Sequence, residues 1–193
     1  MRILVLFAHP LETGFVAGLH KRVVETLRGR GHDVDDLDLY AERFDPVLPR
    51  ETLAKYLDAE ANRAPVDRYV ERLLAAEGLV IVSPVWHDGF PAILKGYFDR
   101  VFLPGVSFKL DQDGVFRPAL TNIKRLAAVC AFGADRRRTS RIGDPVRHFV
   151  TQSLAENAPC ARCEYIALYD MDRATPQRRA QYLKRVTRNF SAW

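Results

Sequence analysis

Short apolar runs rich in branched residues recur along the chain, separated by longer segments whose apolar residues repeat with helical period. The first run, Arg2 to Ala8, is apolar at consecutive positions, the pattern of a strand buried on both faces. Gly14 to Arg28 carries Phe15, Leu19, Val23, Val24 and Leu27 on one stripe and predicts a helix, which Gly29-Arg30-Gly31 stops. His32 to Tyr40 alternates Val34, Leu37 and Leu39 with acidic residues and reads as a more exposed second strand. Residues 45–65 are polar and punctuated by proline, a connection with one short helix. A second long helix is expected over Val66 to Ala76, ended by Gly78, before a central strand Leu79-Val80-Ile81-Val82. A third helix follows over Pro91 to Phe102, then a loop over 103–122 with turn signals at Pro104-Gly105 and Asp113-Gly114. Ile123 to Phe132 gives the fourth strand, and Asp144 to Leu154 a helix with Pro145 in its first position. Tyr165 to Tyr169 gives the fifth strand, and Thr175 before Pro176 caps the last helix.

Five strands alternating with helices predict an α/β fold in a single domain over 1–193: a flavodoxin-like doubly wound five-stranded parallel sheet of order 2-1-3-4-5. In such a sheet the ligand crevice lies at the carboxyl ends of the strands, at the switch point between strands 1 and 3. The loops after strands 1, 3 and 4 are therefore the expected site. A dinucleotide-binding sheet of the other doubly wound order would need G-x-G-x-x-G after strand 1. The sequence there, Ala8-His9-Pro10-Leu11-Glu12-Thr13-Gly14-Phe15, lacks it.

Composition narrows the classes further. With 193 residues, 48% hydrophobic and 27% charged, the chain has the mix of a soluble globular protein. No apolar run approaches the roughly 20 residues that span a bilayer. The start of the chain reads better as a buried strand than as an export signal, so a cytoplasmic location is expected. Twenty-nine Lys and Arg against 24 Asp and Glu leave a net charge of +5, which suits a phosphate-bearing cofactor. The basic residues are not interleaved with aromatics, so nucleic acid is not an expected partner. Three cysteines argue against a disulfide framework, and Cys160-Ala161-Arg162-Cys163, without a second pair, reads as two incidental thiols rather than a metal or redox site.

Two loops carry the chemistry. His9 to Gly14 runs into a helix N-terminus, whose free N–H groups and Thr13 hydroxyl form an anion site; His9 could add a hydrogen bond to a phosphate. A surface histidine beside an ordinary cap is the plainer alternative. Ser83-Pro84-Val85-Trp86-His87-Asp88-Gly89-Phe90-Pro91 leaves a central strand with three aromatic rings, suited to a flat apolar partner such as an isoalloxazine. A hydrophobic plug against the third helix is the alternative there. His87 is the best titratable candidate for a catalytic role, because imidazole titrates near neutrality and the loop should place it beside the ring.

Pro91-Ala92-Ile93-Leu94-Lys95-Gly96 followed by Phe98-Asp99-Arg100-Val101-Phe102 resembles the signature of the NAD(P)H dehydrogenase (quinone) family. Leu6-Phe7-Ala8-His9-Pro10, Thr13-Gly14-Phe15, Asp38-Leu39-Tyr40, Phe44-Asp45-Pro46 and Pro104-Gly105-Val106-Ser107-Phe108 fall in order with it along essentially the whole chain. The resemblance implies FAD, or alternatively FMN, held by three loops, with NAD(P)H as electron donor and a quinone or similar small molecule as acceptor. It places cofactor contacts on His9, Thr13, Gly14, Phe15 and Val16, on Pro84, Val85, Trp86, His87, Asp88 and Gly89, and on Ala131, Phe132, Gly133 and Ala134, with Arg136 beyond them. Relatives carry aromatic residues where this chain has His87 and Asp88, and hydroxyl-rich, Gly-rich or aromatic sequence where it has Gly133-Ala134-Asp135-Arg136-Arg137-Arg138. A flavin-binding ancillary subunit of a membrane transporter is the alternative function.

The resemblance also implies a homodimer. The aromatic helix Ile93 to Phe102 and the loop to Phe108 read as exposing more apolar surface than one domain covers, which a second copy would bury. Arg136-Arg137-Arg138 reads either as a solvated loop or as an anion site with one or two contributors, since at least one of three consecutive side chains must point away from the crevice.

Overall fold

The structure is a computed structural model that describes residues 1–160 and 162–193. The chain runs through β1 (Arg2–Phe7), α1 (Phe15–Gly29), β2 (Asp33–Asp38), the short α2 (Arg50–Ala54) and α3 (Ala59–Arg63), and α4 (Asp67–Ala75). It continues through β3 (Gly78–Val85), α5 (Ala92–Val101), β4 (Phe108–Leu110), β5 (Phe116–Pro118), β6 (Arg125–Phe132) and α6 (Arg136–Arg141). The last part holds α7 (Pro145–His148), α8 (Ala155–Asn157), β7 (Arg162–Leu168) and α9 (Pro176–Phe190). Five strands pair in parallel in the order β2-β1-β3-β6-β7, the order 2-1-3-4-5 expected for the fold.

Side chains alternate across each strand, so the central strands feed two cores. Ile3, Val5 and Phe7 of β1, with Val80 and Val82 of β3, pack against Leu19, Val23 and Leu27 of α1 and Val186 and Phe190 of α9. Leu4 and Leu6, with Leu79 and Ile81, pack against Val70 and Leu73 of α4 and Leu94 and Tyr97 of α5. Each fully buried Val or Leu contributes about 1.5–3 kcal/mol, so both faces of the sheet are strongly specified. The carboxyl ends of all five strands therefore emerge along one edge, where the loops meet.

Several expectations are corrected. β3 extends to Val85, because Ser83 and Pro84 continue the pairing with β6 rather than leaving the sheet. The connection over 45–65 holds two short helices instead of one. The stretch 103–122 is not all loop: β4 and β5 form an antiparallel hairpin closed by Asp111, whose carboxylate accepts from the N–H groups of Val115 (2.9 Å) and Asp113 (3.1 Å). The helix expected over Asp144 to Leu154 is α7 continued by a π-helical turn over Phe149–Leu154, which sets Phe149 against Phe98 with ring centroids 5.1 Å apart.

The apolar surface expected on the third helix is already covered. In α5, Leu94, Tyr97 and Val101 are fully buried, Phe44 and Tyr69 pack on Tyr97, and Phe149 closes over Phe98. Phe108 stacks on Phe116 at 5.5 Å across the hairpin. The apolar argument for a second copy fails at this face. No described helix is long and apolar enough to cross a membrane.

Candidate functional site

A cavity of about 540 Å³ opens at the carboxyl edge of the sheet, between the loops that follow β3 and β6. Pro84, Val85, Trp86, His87 and Asp88 form one wall, and Ala131, Phe132, Gly133 and Ala134 the other. Arg138, Met171 and Asp172 close it.

The first wall is a tight hairpin. Trp86 and Gly89 exchange two backbone hydrogen bonds of 3.0 Å, so His87 and Asp88 are the two central residues of the turn. Both have positive φ, 49° and 60°, as a two-residue turn of matching twist demands. Gly and Asn adopt this backbone most readily, and His and Asp are among the residues that tolerate it. Arg138 supplies the restraint, donating two hydrogen bonds to the Asp88 carboxylate at 2.6 and 2.8 Å. Its own position is set by the cap of α6, where the Asp135 carboxylate accepts from the Arg138 N–H at 2.8 Å.

The Arg138 hydrogen bond and charge hold the Asp88 carboxyl below the usual carboxylate range. A lowered carboxylate pKa stabilises the fold above the unfolded value of about 3.9, and that contribution is lost as pH falls through the folded one. The latch between the hairpin and α6 is thus made at neutral pH and weakens as pH falls through the lowered Asp88 value.

The loop after β1 lies alongside. Ala8 N–H donates to Val82 O at 3.2 Å, and the His9 ring sits 6.1 Å from the half-exposed Trp86 ring. His9 Nδ1 lies 3.1 Å from both the backbone N–H and the carbonyl oxygen of Leu11, which holds the ring against its own loop in either tautomer. Gly14 caps α1 with φ 111° and offers no side-chain oxygen. The first-turn N–H groups of Phe15, Val16 and Ala17 have no protein acceptor among the described residues. By contrast α6, α7 and α9 are closed by Asp135, Asp144 and Thr175. The Val16 side chain is in the core, so it can offer only its N–H, while Thr13 and Gly14 are exposed.

The second wall owes its shape to a neighbour that sequence reasoning missed. Met171 N–H donates to Phe132 O and Asp170 N–H to Ala134 O, both at 2.8 Å, fastening the loop after β7 to the loop after β6. A Cβ on Gly133 would stand 2.8 Å from the Asp172 carboxylate, so glycine leaves that side chain its place against the loop after β6. No motif marks Met171 or Asp172; their place follows from the pairing of β7 with β6.

The three arginines divide. They occupy the first turn of a helix rather than a loop. Arg138 faces the cavity, Arg136 lines a different cleft, and Arg137 lines neither. Arg136 as a contact of this cavity is therefore corrected to Arg138. Cys160 and Cys163 stand at the start of β7, away from the cavity, and burial pushes the Cys163 thiol up to about 11. Ala161, within that C-x-x-C stretch, lies outside the described residues.

Known proteins are similar to this chain in sequence and in fold. The chain is 33% identical over 108 residues to the uncharacterized NAD(P)H oxidoreductase YcaK of Escherichia coli, covering 55% of each chain. It is 32% identical over 110 residues to an FMN-dependent NADH:quinone oxidoreductase of Lachnoclostridium phytofermentans, covering 56% of this chain and 55% of that one. The matches thus span about half the length of these curated relatives. An NAD(P)H:quinone oxidoreductase structure from Methanothermobacter marburgensis superimposes over 99% of this chain and 96% of its own, with TM-score 0.84 and 24% identity, a likeness of fold. A family model described as the flavodoxin-like fold matches residues 1–190, and the chain belongs to that family.

Proposed function

We propose that the chain is a flavin-dependent NAD(P)H oxidoreductase that reduces quinones by two-electron transfer, with FMN as its flavin. The observation that carries this is the pairing of an uncapped helix N-terminus with an aromatic-faced cavity on adjoining strands. The phosphate of FMN would rest on the N–H groups of Phe15 to Ala17 beside the Thr13 hydroxyl, where the α1 dipole favours an anion. The flat ring would lie between Pro84 to Asp88 and Ala131 to Ala134. FMN replaces the sequence-based preference for FAD, because the relative named for its flavin is named for FMN.

A bound flavin supplies the two-electron chemistry between NAD(P)H and the acceptor. The chain supplies position and proton handling. The Asp88–Arg138 latch fixes the hairpin that carries Trp86 and His87. Trp86 presents an apolar face, and the exposed His87 imidazole is placed to hold a proton for the acceptor oxygen. His87→Gln is expected to lower kcat by a larger factor than it weakens FMN binding. The protein is further proposed to work in the cytoplasm as a homodimer of one-domain subunits; light scattering that returns a 22.0 kDa species at micromolar concentration would exclude the dimer.

Titrating FMN against the intrinsic tryptophan fluorescence, to which Trp86 and Trp193 both contribute, should give a dissociation constant below ~10 μM, and NADH oxidation should then depend on menadione. Absence of quenching at that concentration ends the flavin reading. The latch gives a signed pair of variants. Arg138→Ser leaves Asp88 uncompensated on the cavity wall and should raise the KM for NADPH about tenfold, whereas Asp88→Asn frees the guanidinium and should lower it. Both effects should shrink as salt rises. Equal KM values in both variants would place the nucleotide phosphates elsewhere.

A further inference from the structure

A second cleft, of about 480 Å³, lies along the open edge of the sheet. β7 is the outermost strand and pairs only with β6 among the described residues, and Ala167 and Leu168 form the cleft floor. Arg136 and Arg147 enter from the α6–α7 side, and Arg178, Gln181 and Arg185 from α9. No carboxylate lines it.

Elsewhere in the chain many arginines have close acidic partners. Arg72 bonds Asp35 and Glu42, Arg100 meets Asp45, Arg117 meets Asp111, and Arg138 meets Asp88. Around this cleft, Arg136, Arg147 and Arg185 make no ion pair and no side-chain hydrogen bond among the described residues. Arg178 donates to Tyr169 O at 2.8 Å and reaches Asp170 only at 3.9 Å. Two carboxylates beside the cleft, Asp144 and Asp170, are engaged already. Asp144 accepts from the Tyr169 hydroxyl and the Arg147 N–H, and Asp170 accepts from Arg173 at 2.8 Å. Four guanidinium groups around one cleft repel one another, and an anion between them would turn that repulsion into attraction.

We propose that this cleft binds a small polyanion carrying two phosphate groups, such as a nucleoside diphosphate, at a site separate from the flavin cavity. Its volume lies within the range of roughly 300–1,000 Å³ typical of small-ligand sites. A diphosphate carries about −3 at neutral pH, one charge on its inner phosphate and up to two on its terminal one, so it offsets most of the four guanidinium charges where a single phosphate offsets at most half. Guanidinium groups bind phosphate oxygens in bidentate fashion, and Gln181 can add a neutral donor. A carboxylate polymer, with one charge per residue, would have to extend beyond the cleft to supply the same charge.

The test uses the whole protein, with excess FMN present, and isothermal calorimetry at low salt with inorganic pyrophosphate, ADP, orthophosphate and poly-glutamate. Pyrophosphate and ADP should bind at least about tenfold more tightly than orthophosphate, without displacing FMN. The double variant Arg147→Gln/Arg185→Gln should lose at least about tenfold in affinity for both. Lys184→Gln/Arg188→Gln removes the same charge from α9 outside the cleft and should change little. Failure of pyrophosphate to bind, competition with FMN, equal losses in the two double variants, or tighter binding of poly-glutamate would each overturn the proposal. Near-native circular dichroism in both double variants separates lost binding from lost folding.

Discussion

Raising the pH above about 10 is expected to unfold the protein within roughly two pH units, far more steeply than exposed tyrosines would allow. Burial drives the hydroxyls of Tyr97, Tyr165 and Tyr182 and the thiol of Cys130 well above their ordinary ranges. Tyr182 donates to the carbonyls of Ile166 and Cys130, bonds that require a protonated phenol, and the Tyr97 hydroxyl is buried with no partner. A group whose pKa is raised by folding stabilises the native state fully below its unfolded pKa. That contribution is lost as pH climbs through the interval up to the folded value.

For Cys130 the loss begins near pH 8.5, and for the three phenols near 10, each at about 1.4 kcal/mol per pH unit. Above pH 10 the combined slope approaches about 5 kcal/mol per unit, against a total stability of about 5–15 kcal/mol. Absorbance at the tyrosinate band and far-ultraviolet circular dichroism, recorded together, check it. The buried phenols should ionise only as the helical signal collapses. Smooth titration of all seven tyrosines near pH 10 with native dichroism would contradict the packing of both cores.

Gly96→Ala should cost about 3 kcal/mol, at the upper end of the range for overpacking, and lower Tm by about 6–12 °C. α5 passes so close to the connection after β2 that a Cβ at this position would stand 2.3 Å from the Pro46 carbonyl oxygen and 2.4 Å from its Cα. The obstacle is backbone, which cannot rotate away. Nor can it drift, because Arg100, one turn along the same face of α5, donates to Asp45 O and pairs with the Asp45 carboxylate at 3.2 Å. Relief requires α5 to lift, which would disturb the hairpin that enters it and the aromatic cluster around Tyr97. A thermal melt of the variant decides the matter: a Tm within a degree of the parent would mean that the 45–47 segment yields freely.

The large elements are legible in the sequence because each is driven by burial. β1 and β3 show as uninterrupted apolar runs, α1 by its stripe and the Gly29-Arg30-Gly31 stop, and α9 by the Thr175-Pro176 start. β4 and β5 are invisible because three residues are too few for alternation to emerge. α6 was hidden for a related reason: Thr139 is its one buried residue, so no apolar stripe marks it, although Asp135 is a normal N-cap. At the site, the switch-point rule names the loops after β1, β3 and β6; the last two line the cavity, and the loop after β1 reaches it only where His9 stands beside Trp86. It does not name Met171 and Asp172, which arrive through the strand neighbouring β6. Nor could it choose between Arg136 and Arg138. On a helix two positions differ by about 200°, so one faces the cavity and the other the sheet edge, and only the entry angle of α6 decides which.

The π-helical turn over Phe149–Leu154 makes chain length itself a constrained quantity at one point of the molecule. Removing one residue would restore ordinary helical hydrogen bonding but rotate one flank by about 100° relative to the other. Asp144 and Pro145 anchor the flank before it, while Val150, Leu154 and Ala158 are set into the core beyond. Phe149 could then not keep its contact with Phe98 while the following turn kept its own. The chain can lengthen or shorten readily at the exposed turn over 111–115, but here it must carry its extra residue, and a gap placed within 149–154 when related sequences are aligned would signal a different packing of α5.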